Sequence, residues 1–442
     1  MTVSSIVLFL IGITIIVAIH ELGHMLLAKM FKMRVEIYSV GFHPVIWKKK
    51  IGETEYTIGA IPCGGFVKIS GMINESLDNG CLDDEAQPWE FRAKPAWQRL
   101  IVILGGVMAN VLLGILIFST LTWLTKDTFL SKSDFYTHGI YANEYGANLG
   151  FKTGDKVLKI NSNDSWMVED IFNPKTYINL KNQRITVERE GKEIDIQLPE
   201  DFIKSMFRKS NNSVAIRNFI SPRMPFKVAK ENKLLAELQI DDEIIRIGDS
   251  EIKYYDEFKS TMMDNVGNEV TLTVRRGCTI VQFKYFVDAR LFDKHDDGFL
   301  EVKSTLSLEN LRHGFFESIF IGVCKATGVI RSSLLGLGLM FDGSISAKDN
   351  LSGPIGIMKM FKDGMCVGEF FTIIAILSIS LALMNIFPLP ALDGGHALLI
   401  VLEMILRKRT NTKVLVYMQY VGMALLLTLL LFTTVNDLKR AF

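Results

Sequence analysis

The pentapeptide His20–His24 has the order His-Glu-x-x-His, so its two histidines lie four residues apart with a glutamate between them. On a helix, residues four apart differ by about 40° around the axis, so both imidazoles point to the same side. Two such histidines supply half of a tetrahedral zinc site, and a glutamate beside the open position can act as a general base. The spacing therefore predicts His20 and His24 as metal ligands and Glu21 as the base.

The pentapeptide ends a stretch without charge, because the twenty residues before Glu21 contain no Asp, Glu, Lys or Arg. A helix from Val3 to His20 would rise about 25 Å, most of the roughly 30 Å hydrocarbon core of a bilayer. A secretory signal peptide is the alternative, but no basic residue precedes the stretch and no small-x-small cleavage site follows it before His20. We interpret it as an uncleaved span, which places the predicted metal site deep in the membrane.

Charge and cysteine content exclude other classes of protein. The 442 residues include 49 basic and 48 acidic side chains, a net charge of +1, which gives no reason to expect nucleic acid as a partner. The five cysteines are scattered without a C-x-x-C, so neither a zinc ribbon nor a disulfide framework is predicted.

Three more apolar stretches predict membrane spans, at 100–125, 370–396 and 414–442. The loop 29–99 is rich in Lys and Arg, which places it in the cytoplasm and the N-terminus outside. The second span carries Gly105, Gly106, Ala109 and Asn110, a small-xxx-small pattern that allows close helix packing and gives Asn110 a partner in another helix. The stretch 314–341 is interrupted by charges, so we predict an amphipathic helix in the outer interface instead of a fifth span.

The segment 55–69 has strand-like composition broken by Gly and Pro. Two interpretations remain open, a β-hairpin that dips toward the membrane with its backbone buried in protein, and an ordinary surface hairpin.

The region from about 127 to 310 contains an internal repeat. The segment from Gly150 to Asn161 is echoed from Glu237 to Gly248, and each copy is followed by a glycine turn between two β-rich runs. The two modules resemble PDZ domains. The second copy has Glu237 and Asp241 where the first has glycines, so it is expected to differ in its peptide groove.

Topology identifies a third ligand. With the N-terminus outside and four spans, Asp393 arrives at the inner end of the third span, at the depth of His20 and His24. An acidic residue there requires a partner, so Asp393 is a candidate metal ligand that leaves one position for water. Two alternatives remain: Asp393 may serve only to cap an interfacial turn, or His396 is the ligand, although its position beyond the turn favours a loop histidine.

These motifs together resemble the site-2 proteases, intramembrane zinc metalloproteases, and most closely the bacterial RseP type with tandem PDZ domains. The resemblance covers nearly the whole chain. The segments that carry it are H-E-L-G-H at 20–24, P-x-G-G-F-V-K-x-x-G at 62–71, S-G-P-I-G-I at 352–357 and N-x-x-P-x-P-x-L-D-G-G at 385–395.

The resemblance implies one Zn²⁺ held by His20, His24 and Asp393, with Glu21 activating the water. It implies substrate-binding roles for Asn385 near the scissile bond, for Pro388, and for Gly64 and Gly65 in a hairpin that offers an edge to an unwound substrate. It further implies substrates that cross the membrane once, an upstream site-1 protease that trims them, and PDZ-like domains that exclude bulky substrates. The expected location is the inner membrane, with both termini and the PDZ-like domains outside and the active site near the cytoplasmic side.

The predicted fold is a multi-pass α-helical membrane protein with four transmembrane helices, a membrane-associated β-hairpin and a soluble insert of two β-rich PDZ-like domains. The predicted segments are 1–28 (first helix), 29–99 (loop with hairpin), 100–125 (second helix), 126–208 and 209–306 (PDZ-like domains), 307–369 (interfacial helix and linker), 370–396 (third transmembrane segment), 397–413 (cytoplasmic loop) and 414–442 (fourth helix and tail).

Two functions of other classes compete with proteolysis. A scaffold would recruit partners through the PDZ-like modules and would hold a structural metal in a closed shell. A metal transporter would carry polar residues along several spans, whereas here they cluster at one depth, which argues against transport.

Overall fold

The computed structural model describes residues 2–72, 86–161, 171, 184–200, 202, 219–230, 235–292, 302–343, 346, 348, 351–408 and 412–441. The described chain divides into two compact units: unit 1 is formed by Met1–Lys126 and Arg312–Phe442, and unit 2 by Asp127–Leu311. The predicted boundary between the two insert modules, at 208 and 209, lies outside the described residues.

The α-helices, in chain order, are α1 (Val3–Met30), α2 (Ala96–Leu124), α3 (Lys132–His138), α4 (Glu144–Asn148), α5 (Tyr255–Asp264), α6 (Phe315–Phe341), α7 (Pro354–Met358), α8 (Val367–Ile386), α9 (Asp393–Leu406) and α10 (Thr412–Ala441). The strands are β1 (Val35–Ile51), β2 (Thr54–Ile69), β3 (Asp127–Leu130), β4 (Ile140–Ala142), β5 (Lys156–Ile160), β6 (Arg184–Arg189), β7 (Lys192–Gln197), β8 (Ile220–Pro222), β9 (Phe226–Val228), β10 (Glu243–Ile247), β11 (Ser250–Glu251), β12 (Glu269–Arg276), β13 (Thr279–Phe286), β14 (Val302–Ser304) and β15 (Leu308–Leu311).

In unit 1, α2 is the central helix and contacts α1, α6, α8 and α9. The small residues predicted to allow close packing do so: a Cβ on Gly105 would lie 2.8 Å from the carbonyl oxygen of Gly23 on α1. Further along α2, a Cβ on Gly114 would meet the Ile379 side chain of α8. Because these glycines let helix backbones approach, α2 brings the helices on either side of it close to one level.

By length and composition, five described helices could cross a membrane, whereas the sequence analysis predicted four spans. The additional one is α6, a continuous helix of 27 residues, although its charges had suggested an apolar run too short to span. One of these charges is accommodated inside unit 1, because Lys325 Nζ donates a hydrogen bond to Thr122 Oγ1 of α2 at 2.9 Å. Helix continuity was therefore underestimated from the charge pattern.

Strands β1 and β2 form a sheet in which each strand bends. Residues 35–40 pair with 65–69 on one side and with 55–58 on the other, and 45–51 pair with 54–59, so 61–69 forms an edge. This edge lies against α1, since Thr14 Oγ1 donates to the carbonyl of Pro62 at 2.9 Å. Tyr38 donates to the carbonyl of Ala18 at 2.8 Å. Contacts with the middle of an apolar helix favour the membrane-dipping interpretation over a surface hairpin.

The predicted third segment, 370–396, is interrupted. Helix α8 ends at Ile386, and α9 starts at Asp393 after a turn that contains Pro388 and Pro390. Proline disfavours helical conformation in the residue before it and lacks an amide hydrogen, so the turn separates the two helices. Most of the predicted loop 397–413 is also helical, because α9 continues to Leu406 with Ala397 and Ile400 buried.

Unit 2 contains two buried clusters, one formed by residues between Phe135 and Ile220 and the other by residues between Phe226 and Val287. The first includes the sheet β5-β6-β7 and the second the sheet β11-β10-β12-β13. The strands at its two ends, β3 and β15, pair antiparallel, so the chain enters and leaves unit 2 side by side.

The two repeated segments carry the same ion pair. Arg189 donates through Nε and Nη2 to Asp155, and Arg276 donates in the same way to Asp242, with 34 residues between the partners in both cases. Each arginine fixes the turn before the first strand of its sheet.

Candidate metal centre

Three side chains that are far apart in the sequence converge in unit 1. His20 and His24 Nε2 lie 3.2 Å apart, and Asp393 Oδ2 lies 3.1 Å from the first and 3.5 Å from the second. The two histidines are only 7% and 8% exposed. Of the described residues, these three form the group of metal-binding side chains whose ligand atoms lie within 4.8 Å of one another.

The spacing of the three atoms fits zinc. Zn–N and Zn–O bonds of about 2.0–2.2 Å place the ligand atoms of a tetrahedral site about 3.3 Å apart. The observed separations of 3.1, 3.2 and 3.5 Å agree with this value. Asp393 Oδ2 is buried and has no hydrogen-bond donor in the described part of the chain, as expected for an atom that would face a cation.

Helix α2 holds the histidines in place. His24 Nδ1 lies 2.9 Å from the carbonyl oxygen of Val102, so this nitrogen carries the proton and leaves Nε2 free as a ligand. His20 Nδ1 lies 3.4 Å from the side-chain amide of Asn110, which confirms that Asn110 has a partner in another helix. Between these two positions is Gly106, where a Cβ would lie 2.5 Å from His20 Cε1.

Asp393 reaches the histidines because the chain folds back after α8. A Cβ on Gly394 would collide with the carbonyls of Ile386 and Phe387, and one on Gly395 with that of Leu389. The two glycines therefore allow the turn to pack against the start of α9. As the first residue of α9, Asp393 also lies at the end of a helix dipole that favours negative charge.

Glu21 lies between the three converging atoms and the edge of the sheet. Its carboxylate accepts a hydrogen bond from the backbone N–H of Val67 and interacts electrostatically with His20, His24 and Asp393. A Cβ on Gly65 would lie 3.5 Å from Glu21 Cγ. The edge strand and the predicted base are thus in direct contact.

The structure brings some of the other predicted residues to this centre. Asn385 Nδ2 lies 3.3 Å from His20 Nε2, and Gly65 lies beside Glu21. Gly64 packs against the ring of Phe42, one position further along the edge. Pro388 is exposed in the turn between α8 and α9.

His396, the rival ligand, is not a member of the converging group. Two partners of the centre could not be found from the sequence, the carbonyl of Val102 and the N–H of Val67. Backbone groups leave no signal in residue type, so only the packing of α2 and the sheet identifies them.

Comparison with known proteins gives the family. The model of peptidase family M50 matches residues 8–429, nearly the whole chain. The chain belongs to peptidase family M50.

Relatives match this M50 peptidase from end to end. The regulator of sigma E protease of Haemophilus influenzae is 27% identical over 98% of this chain and 98% of its own length. The regulator of sigma-E protease RseP of Escherichia coli is 25% identical, with 98% of each chain covered. A protein of Treponema pallidum with the words zinc metalloprotease in its name is 24% identical over 99% of both chains.

The predicted resemblance to the site-2 proteases, the RseP type in particular, is therefore confirmed, as is the prediction of a metalloprotease. The predicted cofactor, one zinc ion, agrees with the donor set of two imidazoles and a carboxylate. The apolar helices of this M50 peptidase and its relatives support a multi-pass protein of the inner membrane.

Proposed function

We propose that this peptidase hydrolyses peptide bonds within or near the transmembrane segment of proteins that cross the membrane once. The observation that carries the proposal is the convergence of His20, His24 and Asp393, beside Glu21, among helices apolar enough to cross a bilayer. A hydrolytic centre in that position can reach only a substrate that is itself in the membrane.

In this proposal His20, His24 and Asp393 hold the zinc ion. When bound, zinc supplies Lewis acidity and lowers the pKa of water, so that a nucleophile is available at neutral pH. Glu21 accepts the proton of the attacking water and delivers it to the leaving amide nitrogen. Its hydrogen bond from Val67 N–H fixes the carboxylate between the metal ligands and the sheet.

The edge strand 61–69 would present the substrate. A helical peptide bond is shielded by its own hydrogen bonds, so the substrate must unwind before attack, and an edge strand can then pair with the extended segment. The contacts of Gly65 with Glu21 support this role, because a paired substrate would pass close to the base. Gly64 and Gly65 keep side chains away from that path.

Asn385 and Pro388 would contribute from the other side. The amide of Asn385 is close enough to the converging atoms to donate a hydrogen bond to the substrate carbonyl next to the scissile bond. Pro388, exposed in the turn after α8, would contact the substrate and hold the turn in its conformation.

We propose four net crossings. At one end of α2, Trp123 packs against Phe315 of α6 with ring centroids 5.6 Å apart, and Leu121 lines a cavity with Cys366 just before α8. The segment between α2 and α8 therefore starts and finishes at the same end of α2. It makes no net crossing, whether α6 lies in the interface or enters the membrane and returns.

Both chain ends would lie on that same side, outside the cell membrane. Thr2 Oγ1 donates to Asp363 at 2.5 Å, and Asp437 near the end of α10 accepts from Gly356 N–H at 2.7 Å. Both partners belong to the segment before α8. The basic loop 29–99 then lies in the cytoplasm, which agrees with the positive-inside rule and puts the active site nearer the cytoplasmic side.

Unit 2, with its two PDZ-like modules, would act as a size filter. Its connections leave unit 1 at the end of α2 and the start of α6, which lie together. A folded pair of modules there would exclude substrates with bulky outer domains. Such substrates, anti-sigma factors for example, would need an upstream site-1 protease, whereas remnant signal peptides are already short.

The test is Glu21→Gln in purified protein incubated with a single-span substrate in micelles. Cleavage should fall by at least about 10³-fold while zinc content stays unchanged, because the amide cannot accept the proton but is not a ligand. Glu317→Gln, the same change at an exposed carboxylate, is the matched control and should cleave normally. Wild-type cleavage by Glu21→Gln would refute the mechanism.

A further inference from the structure

Asn110 on α2 faces a metal-binding histidine and has an unexplained orphan atom. The residue is 0% exposed, and its Nδ2 lies 3.4 Å from His20 Nδ1. Its Oδ1 is buried and has no hydrogen-bond partner in the described part of the chain. A buried amide oxygen without a donor costs about 1–3 kcal/mol, so its orientation requires an explanation.

The protonation of His20 determines which end of the amide faces it. If His20 Nε2 holds zinc, its lone pair is used there, and Nδ1 must carry the proton. Nδ1–H then needs an acceptor, which Nδ2 of Asn110 cannot be. The two ends of a side-chain amide have nearly the same shape, and a rotation by 180° brings Oδ1 into the position facing Nδ1–H.

Either orientation leaves one end of the amide without a partner among the described residues, so the histidine decides between them. We infer that Asn110 Oδ1 accepts the Nδ1 proton of His20 and thereby fixes the tautomer and ring orientation in which Nε2 binds the metal. Asn110 is thus a positioning residue, and the inference rests on the proposed zinc site.

The same arrangement is already visible at the other histidine. Val102 accepts from His24 Nδ1 through its carbonyl oxygen at 2.9 Å, which leaves His24 Nε2 for the metal. Val102, Gly106 and Asn110 follow at intervals of four residues, so they lie on one face of α2. Carbonyls point towards the C-terminus of a helix and side chains lean towards its N-terminus, so both acceptors converge on the rings packed over Gly106.

The position of Asn110 is itself secured by a third helix. Ser378 Oγ of α8 donates to the backbone carbonyl of Asn110 at 2.9 Å, and both residues are fully buried. The helix that carries Asn385 is therefore hydrogen-bonded to the helix that orients His20. This connection keeps the amide at a fixed height relative to the ring.

The test measures zinc affinity of the full-length protein in detergent by competition with a chromophoric chelator, together with the visible spectrum of the Co²⁺-loaded protein. Asn110→Ala and Asn110→Leu should weaken zinc binding by about 10–100-fold and alter the Co²⁺ bands, as loss of a ligand's hydrogen-bond partner typically does. Asn110→Asp, which keeps the acceptor, should restore both. Thr122→Val, which removes another buried hydroxyl partner on α2, should change neither.

Zinc affinity and Co²⁺ bands of wild-type character in both Asn110→Ala and Asn110→Leu would overturn the inference. Asn110→Ala adds no bulk and decides the outcome if Asn110→Leu does not fold. His24→Ala separates this failure from that of the proposed function. If His24→Ala loses zinc and Asn110→Ala retains it, only the role of Asn110 is refuted; if His24→Ala binds as wild type, the zinc site itself is refuted.

Discussion

Gly106 packs against the imidazole of His20, and a Cβ atom at position 106 would lie 2.5 Å from Cε1 of that ring. The same Cβ would collide with His24 Nε2. A glycine on the neighbouring helix therefore provides the space in which both predicted ligands turn towards Asp393.

We expect Gly106→Ala to reduce zinc affinity and proteolysis by at least about tenfold. Alanine is favoured over glycine in a helix by about 1 kcal/mol, so a loss cannot come from helix propensity and must come from displaced imidazoles. The measurement is zinc competition together with cleavage of a single-span substrate. Gly328→Ala, at a glycine of α6 with open space around it, is the control and should behave as wild type. Unchanged zinc affinity of Gly106→Ala would contradict the packing described above.

Zinc should stabilise the folded protein by mass action. At free zinc 100 times the dissociation constant, a ligand that binds only the folded state stabilises it by about 2.7 kcal/mol, which raises the unfolding temperature. A thermal-shift assay after chelator treatment should show this increase for the wild type and for Glu21→Gln. Asp393→Ala should show almost none, because one of three ligands is lost. An equal shift in Asp393→Ala would remove that residue from the ligand set.

Arg276→Met should weaken the second module of unit 2 by about 2 kcal/mol, because it leaves the carboxylate of Asp242 buried without its charged donor. Burial by itself would raise the pKa of Asp242, but the hydrogen bonds from Arg276 and from Gln239 N–H outweigh it and hold the pKa below its usual range. The stabilisation is thus present above about pH 4 and is lost as pH falls further. Hydrogen exchange of β12 in the full-length protein measures both effects.

Arg275→Met is the matched control for that experiment. Arg275 pairs with Glu243 at 3.0 Å, but its side chain is 51% exposed, and exposed pairs contribute between 0 and about 1 kcal/mol. Equal destabilisation by the two substitutions would show that the buried pair has no special weight.

His138 should titrate below the ordinary histidine range. Partial burial and the charge of Lys253 lower its pKa, Asp134 opposes them, and Arg223 lowers it further. Since the folded state disfavours the charged imidazole, stability is complete above about pH 6.5 and decreases as pH falls through the folded pKa. An NMR titration of the full-length protein, with the signal assigned through His138→Gln, gives the value. A pKa above 6.5 would contradict the contact between His138 and Tyr254 as the structure has it.

The local chemistry of the site was determined by the sequence. A four-residue spacing on a helix is enough to put His20 and His24 on one side, and an uncharged run of that length is enough to predict a membrane helix. The small residues of α2 likewise predicted close packing. These features depend on residue type and short-range periodicity, which are readable without a fold.

Helix continuity and chain reversal were less readable. The charges in α6 suggested interruption, yet one of them is accommodated by Thr122 of another helix. The helix after Asp393 was interpreted as a loop, because prolines and glycines before it indicated a break but not what followed. In both cases the deciding contacts are with residues distant in the sequence.

Only the tertiary structure decided how the centre is assembled. Asp393 lies more than 360 positions beyond the histidines in the chain, and its approach depends on carbonyls that pack against Gly394 and Gly395. The acceptor for His24 is a backbone carbonyl, and the donor to Glu21 is a backbone N–H. Every residue has such groups, so their orientation in space, set by the packing of α1 against α2 and the sheet, selects the ones that act.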